Sequence, residues 1–187
     1  MDHMTVPEAL ATDRLVLRRW LPDDRHACAE LNADPEVMRH FPAVLTRAES
    51  DALVDRWEAG FEERGHGSWA VVRRDTGASI GHVGLIPMHP GSPGAGGLEV
   101  GWRLARSAWG HGFATEAARA EIADGIERLG LTEVWSWTAV TNEPSQAVMR
   151  RLGLTEIART LHPDLPEDSP LALHVTYHRD LADWPDG

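Results

Sequence analysis

Residues 109–114 read Trp-Gly-His-Gly-Phe-Ala, and the fold of the chain can be worked out from this short stretch. It follows a predicted strand at 98–104 and opens a predicted helix at 113–129, which Gly130 ends. Two glycines at a helix start let a ligand approach the backbone, and free N–H groups there bind phosphate oxygens. The sequence lacks the third glycine of a dinucleotide fingerprint and the Lys-Ser or Lys-Thr of a P-loop. By itself, the stretch fits a tight structural turn as well as a phosphate site.

The periodicity of apolar residues predicts the elements on either side of this turn. The other strands are expected at 14–20, 68–73, 79–85, 133–141, 155–159 and 173–179, and the other helices at 22–33, 46–64 and 143–152. Asp75-Thr76-Gly77 predicts a hairpin between the second and third strands. The order of elements predicts an α+β fold with one sheet of about seven strands. The two strands that flank the helix at 113–129 should be parallel.

The composition indicates a soluble globular protein, and we expect a single domain over residues 1–187. The chain is 42% hydrophobic and 25% charged, and its net charge of −11 disfavours binding to nucleic acid or to an anionic membrane. The single cysteine, Cys28, excludes an internal disulfide and points to the cytoplasm. Because His174 and His178 lie too far apart on a strand to chelate, and no zinc motif is present, no metal site is predicted.

Residues 99–104 read Glu-Val-Gly-Trp-Arg-Leu, and 106–117 read Arg-Ser-Ala-Trp-Gly-His-Gly-Phe-Ala-Thr-Glu-Ala. Together they resemble the acyl-CoA signature of the GNAT acetyltransferases. The similarity is greatest to the RimJ/RimL-type branch, whose named members acetylate ribosomal-protein N-termini. Three further segments resemble the opening strand, the first helix end and the closing motif of that branch: 12–18, 34–38 and 142–145. The resemblance covers about residues 12–181. It implies a GNAT fold, with a mixed, mostly antiparallel sheet flanked by helices and splayed between the strands at 98–104 and 133–141.

The resemblance also implies that acetyl-CoA is the acetyl donor, as a co-substrate. The implied contacts to its pyrophosphate are Gly110, His111, Gly112, Phe113, Ala114 and Thr115, and those to its pantetheine arm are Leu104, Ala105, Arg106 and Asn142. Arg106 has an equal alternative as an exposed arginine at a strand end. Asn142 has an alternative as the N-cap of the helix at 143–152. Ser107 stands where the wider superfamily has Gln or Arg, which matters little because backbone amides hold the pyrophosphate.

Two catalytic residues are implied in the same way. Glu99 is expected to accept the proton of the amine; the alternative is a carboxylate that faces solvent or pairs with an arginine. By strand alternation, Glu99 shares its face with Gly101 and Arg103, which favours a site over a core face. Ser145 is expected to stabilise the departing thiolate, because Met149 occupies the position of the tyrosine that many relatives use. Its alternative is an ordinary first-turn serine.

These residues predict direct attack of a primary amine on acetyl-CoA in a ternary complex. Two acceptor classes fit this reaction: a protein N-terminus, or a small molecule such as an antibiotic, a polyamine or a metabolite. A non-catalytic acyl-CoA-binding module is a further alternative, which the retained Glu99, Asn142 and Ser145 disfavour. The resemblance also raises the expectation of a homodimer.

Overall fold

The computed structural model describes residues 5–185, so both ends of the predicted 1–187 domain, residues 1–4 and 186–187, lie outside the described residues. Between residues 5 and 185 the chain forms eight strands, four α-helices and one short 3-10 turn at Arg106–Ala108. The strands are β1 (Ala9–Ala11), β2 (Leu15–Arg18), β3 (Ser68–Arg73), β4 (Ser79–Pro87), β5 (Leu98–Leu104), β6 (Glu133–Ala139), β7 (Thr155–Leu161) and β8 (Leu173–Asp180). The helices are α1 (Asp24–Ala33), α2 (Arg47–Arg64), α3 (Phe113–Leu129) and α4 (Glu143–Arg151). None of the described helices is long and apolar enough to cross a membrane.

All eight strands form one sheet, in the order β1-β2-β3-β4-β5-β6-β8-β7. Every neighbouring pair is antiparallel except β5 and β6, which are parallel on either side of α3. The predicted α+β class, the hairpin of β3 and β4 and the parallel pair are therefore confirmed. The expected count of seven strands was one too low, because β1 is only three residues long and pairs with β2 at the sheet edge.

The ends of α2 show how local sequence sets the helix bounds. Thr46 accepts a hydrogen bond from the Glu49 amide, and the Glu49 side chain accepts one from the Thr46 amide, which completes a capping box. Gly65 ends the helix in the left-handed conformation, with φ 75°. The predicted bounds of this helix are correct within one residue, whereas α1 begins at Asp24 and not at residue 22.

Helices cover both faces of the sheet, which makes three layers. Helix α3 packs on β4 and β5 over the larger core, which includes Trp69, Leu85 and Val100. Because successive strand residues face opposite sides, Ala70 lies on the other face. There α1 and α2 enclose a second cluster with Trp20, Cys28, Val54 and Trp57. The helices therefore leave the gap between β5 and β6 open for a ligand.

Strands β5 and β6 pair at only one position in the described structure, Glu99 with Trp135. One residue further, the Ser136 hydroxyl donates a hydrogen bond of 3.0 Å to the Val100 carbonyl oxygen. Beyond this point the two strands separate, and the predicted splay is confirmed. The peptide groups that a continuous ladder would pair are left facing the gap.

Candidate active site

A cleft of about 1160 Å³ occupies the gap between β5 and β6. Gly101 and Leu104 of β5 form one wall, and Trp137 and Thr138 of β6 form the other. The start of α3 closes one end of the cleft, and the segment after α1 closes the opposite side. The sheet topology thus brings the glycine turn and the splayed strand ends to one cavity.

The glycine turn presents free backbone amides to this cleft. Gly110 and Gly112 have φ angles of 76° and 80°, a left-handed conformation that favours glycine, and Gly112 is the N-cap of α3. Within residues 5–185, no acceptor pairs with the amides of Phe113, Ala114 or Thr115. These amides lie at the positive end of the helix dipole, so the turn is built to bind an anion.

A hydrogen-bonded network holds the turn from the side of β2. Arg14 donates from Nε to Glu116 Oε2 at 2.7 Å and from Nη1 to the His111 carbonyl oxygen at 3.0 Å. Its guanidinium also lies 4.6 Å from the centre of the Phe113 ring. No local sequence pattern reveals this network, because its two halves lie about a hundred residues apart in the chain.

Nine of the residues expected to touch coenzyme or substrate line the cleft, and three do not. The nine are Glu99, Leu104, Gly110, Gly112, Phe113, Ala114, Thr115, Asn142 and Ser145. The side chain of His111 is exposed, and its carbonyl oxygen faces Arg14. Ala105 and Arg106 line a separate small cavity of about 220 Å³ beside α1. For Arg106, this position agrees with the alternative of an exposed arginine at the strand end.

Glu99 lies where β5 and β6 part, and its side chain lines the cleft. Burial raises the pKa of its carboxyl to about 8. That value is close to the ordinary pKa of an α-amino group, about 7.7–8.0, so a proton can pass between the two groups at little cost. Glu99 is partly buried and forms no ion pair with the described arginines.

Asn142 occupies both of the positions considered for it. Its Oδ1 accepts a hydrogen bond of 3.3 Å from the Ser145 amide, which caps α4, and its Nδ2 donates one of 3.0 Å to Thr138 Oγ1. The same residue lines the cleft beside Ser145. The chain's one tyrosine, Tyr177, is buried under α4 and bonded to Gln146 at 3.3 Å. Of these two hydroxyl-bearing residues, Ser145 and Tyr177, only Ser145 lines the cleft.

The far side of the cleft is lined by residues that the sequence analysis did not assign to the site. His82, Arg103 and Trp57 lie on one wall, and Trp137 stacks on His162 at 4.7 Å on the other. Of these residues, only Arg103 could have been predicted from the sequence, because alternation along β5 places it on the same face as Glu99. The remaining residues meet through pairing of distant strands and loops, which sequence spacing does not reveal.

Comparison with known proteins identifies the family of this chain. The family model for the acetyltransferase (GNAT) domain matches residues 14–155. The uncharacterised N-acetyltransferase YoaA of Bacillus subtilis is 27% identical over 146 residues, which are 77% of this chain and 81% of that protein. The FsC-acetyl coenzyme A-N(2)-transacetylase of Aspergillus fumigatus is 33% identical over 155 residues, which are 79% of this chain and 65% of that protein.

A solved structure extends the agreement to the fold. RimL, a ribosomal L7/L12 alpha-N-protein acetyltransferase in complex with coenzyme A, superposes with a TM-score of 0.73 over 94% of this chain and 97% of its own. Its sequence identity of 17% supports a common fold and no more. The family model covers most of the described chain and includes the glycine turn, β5 and α4. The chain therefore belongs to the GNAT family and is an acetyl-CoA-dependent N-acetyltransferase.

Proposed function

We propose that this enzyme transfers the acetyl group of acetyl-CoA directly to a primary amine while both substrates are bound. The observation that carries the proposal is the shared cleft, which Glu99, Ser145 and the free amides of α3 all line. A covalent acetyl-enzyme has little support, because Cys28 is buried between α1 and α2 and lies outside the cleft lining. Burial also raises the pKa of its thiol, which disfavours the nucleophilic thiolate.

The residues of the glycine turn fit the phosphates of the coenzyme. We assign the pyrophosphate to the amides of Phe113, Ala114 and Thr115. The Thr115 hydroxyl is buried without a hydrogen-bond partner among the described residues, as expected of a group that a ligand satisfies. Arg119 and Arg151 line the cleft and form no ion pair within residues 5–185, so they are available to the remaining phosphate charge.

The pantetheine arm is assigned to the gap between β5 and β6. Its amide groups would pair with the free peptide groups of the separated strands, as an added strand does. Leu104 and Asn142 line this part of the cleft on opposite sides. This placement brings the thioester to the level of Ser145, one turn into α4.

Each reacting atom then has a partner. The neutral amine attacks the thioester carbon, and Glu99 takes the proton that the nitrogen gives up, directly or through one water. When the tetrahedral intermediate collapses, the carbon–sulfur bond breaks and the Ser145 hydroxyl donates a hydrogen bond to the thiolate. The main source of rate is the fixed orientation of amine and thioester.

A small-molecule amine is favoured over a protein N-terminus by the loops at the acceptor end. The segment after β7 lines the cleft with His162 and Leu165, and it is joined to the segment after β4 by a hydrogen bond of 2.8 Å between His89 Nε2 and Asp164 Oδ2. Two joined loops restrict the space for a long peptide. Acetylation of a protein N-terminus, as in the RimJ/RimL-type branch, is the second candidate.

The test is release of free thiol from acetyl-CoA against a panel of small amines and N-terminal peptides. Glu99→Gln and Ser145→Ala should both lower turnover on the preferred amine, whereas Glu156→Gln, an exposed residue on β7, should not. The preferred amine decides between the two acceptor classes. Binding of acetyl-CoA without acetylation of any amine would favour a non-catalytic binding module.

A further inference from the structure

Arg103 is a cation at the acceptor end of the cleft that lacks an anionic partner. Its Nη1 donates to Asn32 Oδ1 at 2.5 Å, and its guanidinium lies 4.1 Å from the centre of the Phe41 ring. Among residues 5–185, no carboxylate lies within ion-pair distance of Arg103. Its Nε is buried without a hydrogen-bond partner. The Nε and Nη2 edge of the guanidinium is therefore left unused.

His82 places a second unsatisfied polar atom beside this arginine. It lies directly opposite Arg103 in the register of β4 and β5 and is only 8% exposed. Its Nδ1 shares a hydrogen bond of 2.9 Å with Ser68 Oγ, and its Nε2 is buried without a described partner. Burial lowers the pKa of His82 well below 6.5, so the ring is neutral. When the Ser68 hydroxyl donates to Nδ1, Nε2 carries the proton and becomes a donor.

The surroundings of Arg103 do not balance its charge. The side chains around it are an amide, aromatic rings and a buried thiol, all of which are neutral when the Cys28 thiol is protonated. A guanidinium that is withdrawn from water without an anionic partner is strongly unfavourable. The planar Nε and Nη2 edge matches the two oxygens of a carboxylate, and two charge-assisted hydrogen bonds form there.

We propose that the acceptor amine carries a carboxylate, which binds the Nε and Nη2 edge of Arg103 and accepts a further hydrogen bond from His82 Nε2. This inference rests on the proposed acetyl transfer and names the substrate class of the same cleft. Glu99 lies on the same face of β5, four residues and about 13 Å of strand from Arg103. The amine and the carboxylate therefore bind at separate points, and the acceptor is a compound that carries both groups.

The experiment compares amino acids with their own carboxamides. Values of kcat/KM are measured for glycine, β-alanine, γ-aminobutyrate and phenylalanine, each beside its amide, with acetyl-CoA saturating. The amine of the amide is the less basic of each pair, so a preference for the acid cannot come from amine ionisation. The variants are Arg103→Met and Arg103→Lys, with Arg56→Met as a matched control at an exposed arginine of α2 outside the cleft lining.

We expect the wild type to prefer the acid over its amide by about 100-fold for the best pair, as a desolvated charge pair supplies. Arg103→Met should bring this ratio close to one, Arg103→Lys should give an intermediate ratio, and Arg56→Met should leave it unchanged. A merely structural arginine would lower both rates together and keep the ratio, which would overturn the inference. Equal rates on acid and amide in the wild type would overturn it as well, with acetyl transfer intact.

A binding measurement separates this inference from the transfer reaction. N-acetylglycine and its amide are titrated into the enzyme with coenzyme A present, and binding is followed by the change in tryptophan fluorescence. Trp57 should report binding, because the centres of its ring and the His82 ring lie 4.3 Å apart. Selective binding of the acid that Arg103→Met abolishes supports the carboxylate site even if no amine is acetylated. Equal binding of acid and amide by the wild type counts against the site.

Discussion

The pKa of Glu99 leads to a quantitative prediction for the pH dependence of catalysis. Because burial raises that pKa to about 8, the carboxyl is mostly protonated at neutral pH and can accept a proton only after it ionises. The ionised fraction should rise from about one-tenth at pH 7 to about nine-tenths at pH 9, since the group titrates as one site. We therefore expect kcat/KM to increase about tenfold over this range and to level off above it. Glu99→Gln should lower kcat/KM by about 10²–10⁴-fold, the usual contribution of a general base.

The assay is the initial rate of thiol release from pH 6 to 9.5, at low concentration of the acceptor. Ionisation of the amine must be separated from that of the enzyme, so two acceptors are compared, one with an α-amine and one with a lysine-like amine of pKa about 10.4. A break near pH 8 that is common to both acceptors belongs to the enzyme. Glu99→Gln should lose this break, and Glu156→Gln should keep it. A wild-type profile that is flat after correction for the amine, or a break that survives in Glu99→Gln, would refute a role for this carboxyl as the base.

Three further perturbations test the coenzyme site, the leaving group and the scaffold. The double variant Arg119→Gln, Arg151→Gln should raise KM for acetyl-CoA about tenfold and leave KM for 3′-dephospho-acetyl-CoA nearly unchanged, as steady-state rates with the two donors would show. Ser145→Ala should lower kcat about tenfold with little change in KM, because its hydrogen bond strengthens as the thiolate forms; an unchanged kcat would leave Ser145 a structural residue. Thr46→Ala removes the capping box of α2 and should lower the free energy of unfolding by about 1 kcal/mol in urea titration, with KM for acetyl-CoA unaffected.

Local patterns in the sequence were sufficient for most of the fold. The capping residue Thr46, the turn at Asp75-Thr76-Gly77 and the glycine after α3 mark element ends through interactions between residues close in the chain. Strand β1 was missed because Ala9–Ala11 is too short to show alternation, and its only pairing is with β2. The position of β8 between β6 and β7 likewise depends on pairing across the chain, which periodicity does not encode.

The candidate site likewise has one part that local sequence predicts and another part that it does not. The motif at 109–115 is one continuous segment, so most of its residues lie together on the cleft, and Glu99, which was expected from the family resemblance, lines the same cleft. Ala105 and Arg106 turned out to line another cavity because the 3-10 turn redirects the chain at the end of β5. The acceptor half brings together residues as distant as Asn32 and Arg103, which are 71 positions apart. No pattern within a window of the sequence connects such residues, and only the folded sheet does.

Because β5 and β6 pair at a single position, the lifetime of the folded protein should depend on the cellular concentration of its coenzyme. Within the sheet, β5 and β6 are joined by only one ladder position and one side-chain hydrogen bond, so local opening of the sheet at this seam should need less free energy than at a continuous ladder. A coenzyme that fills the gap adds its binding free energy to the native state alone, about 2.7 kcal/mol at a hundred times its Kd. When acetyl-CoA and free coenzyme A are scarce, more molecules should open at the seam and become accessible to proteases. The abundance of the enzyme, and not only its rate, would then follow the size of the coenzyme pool.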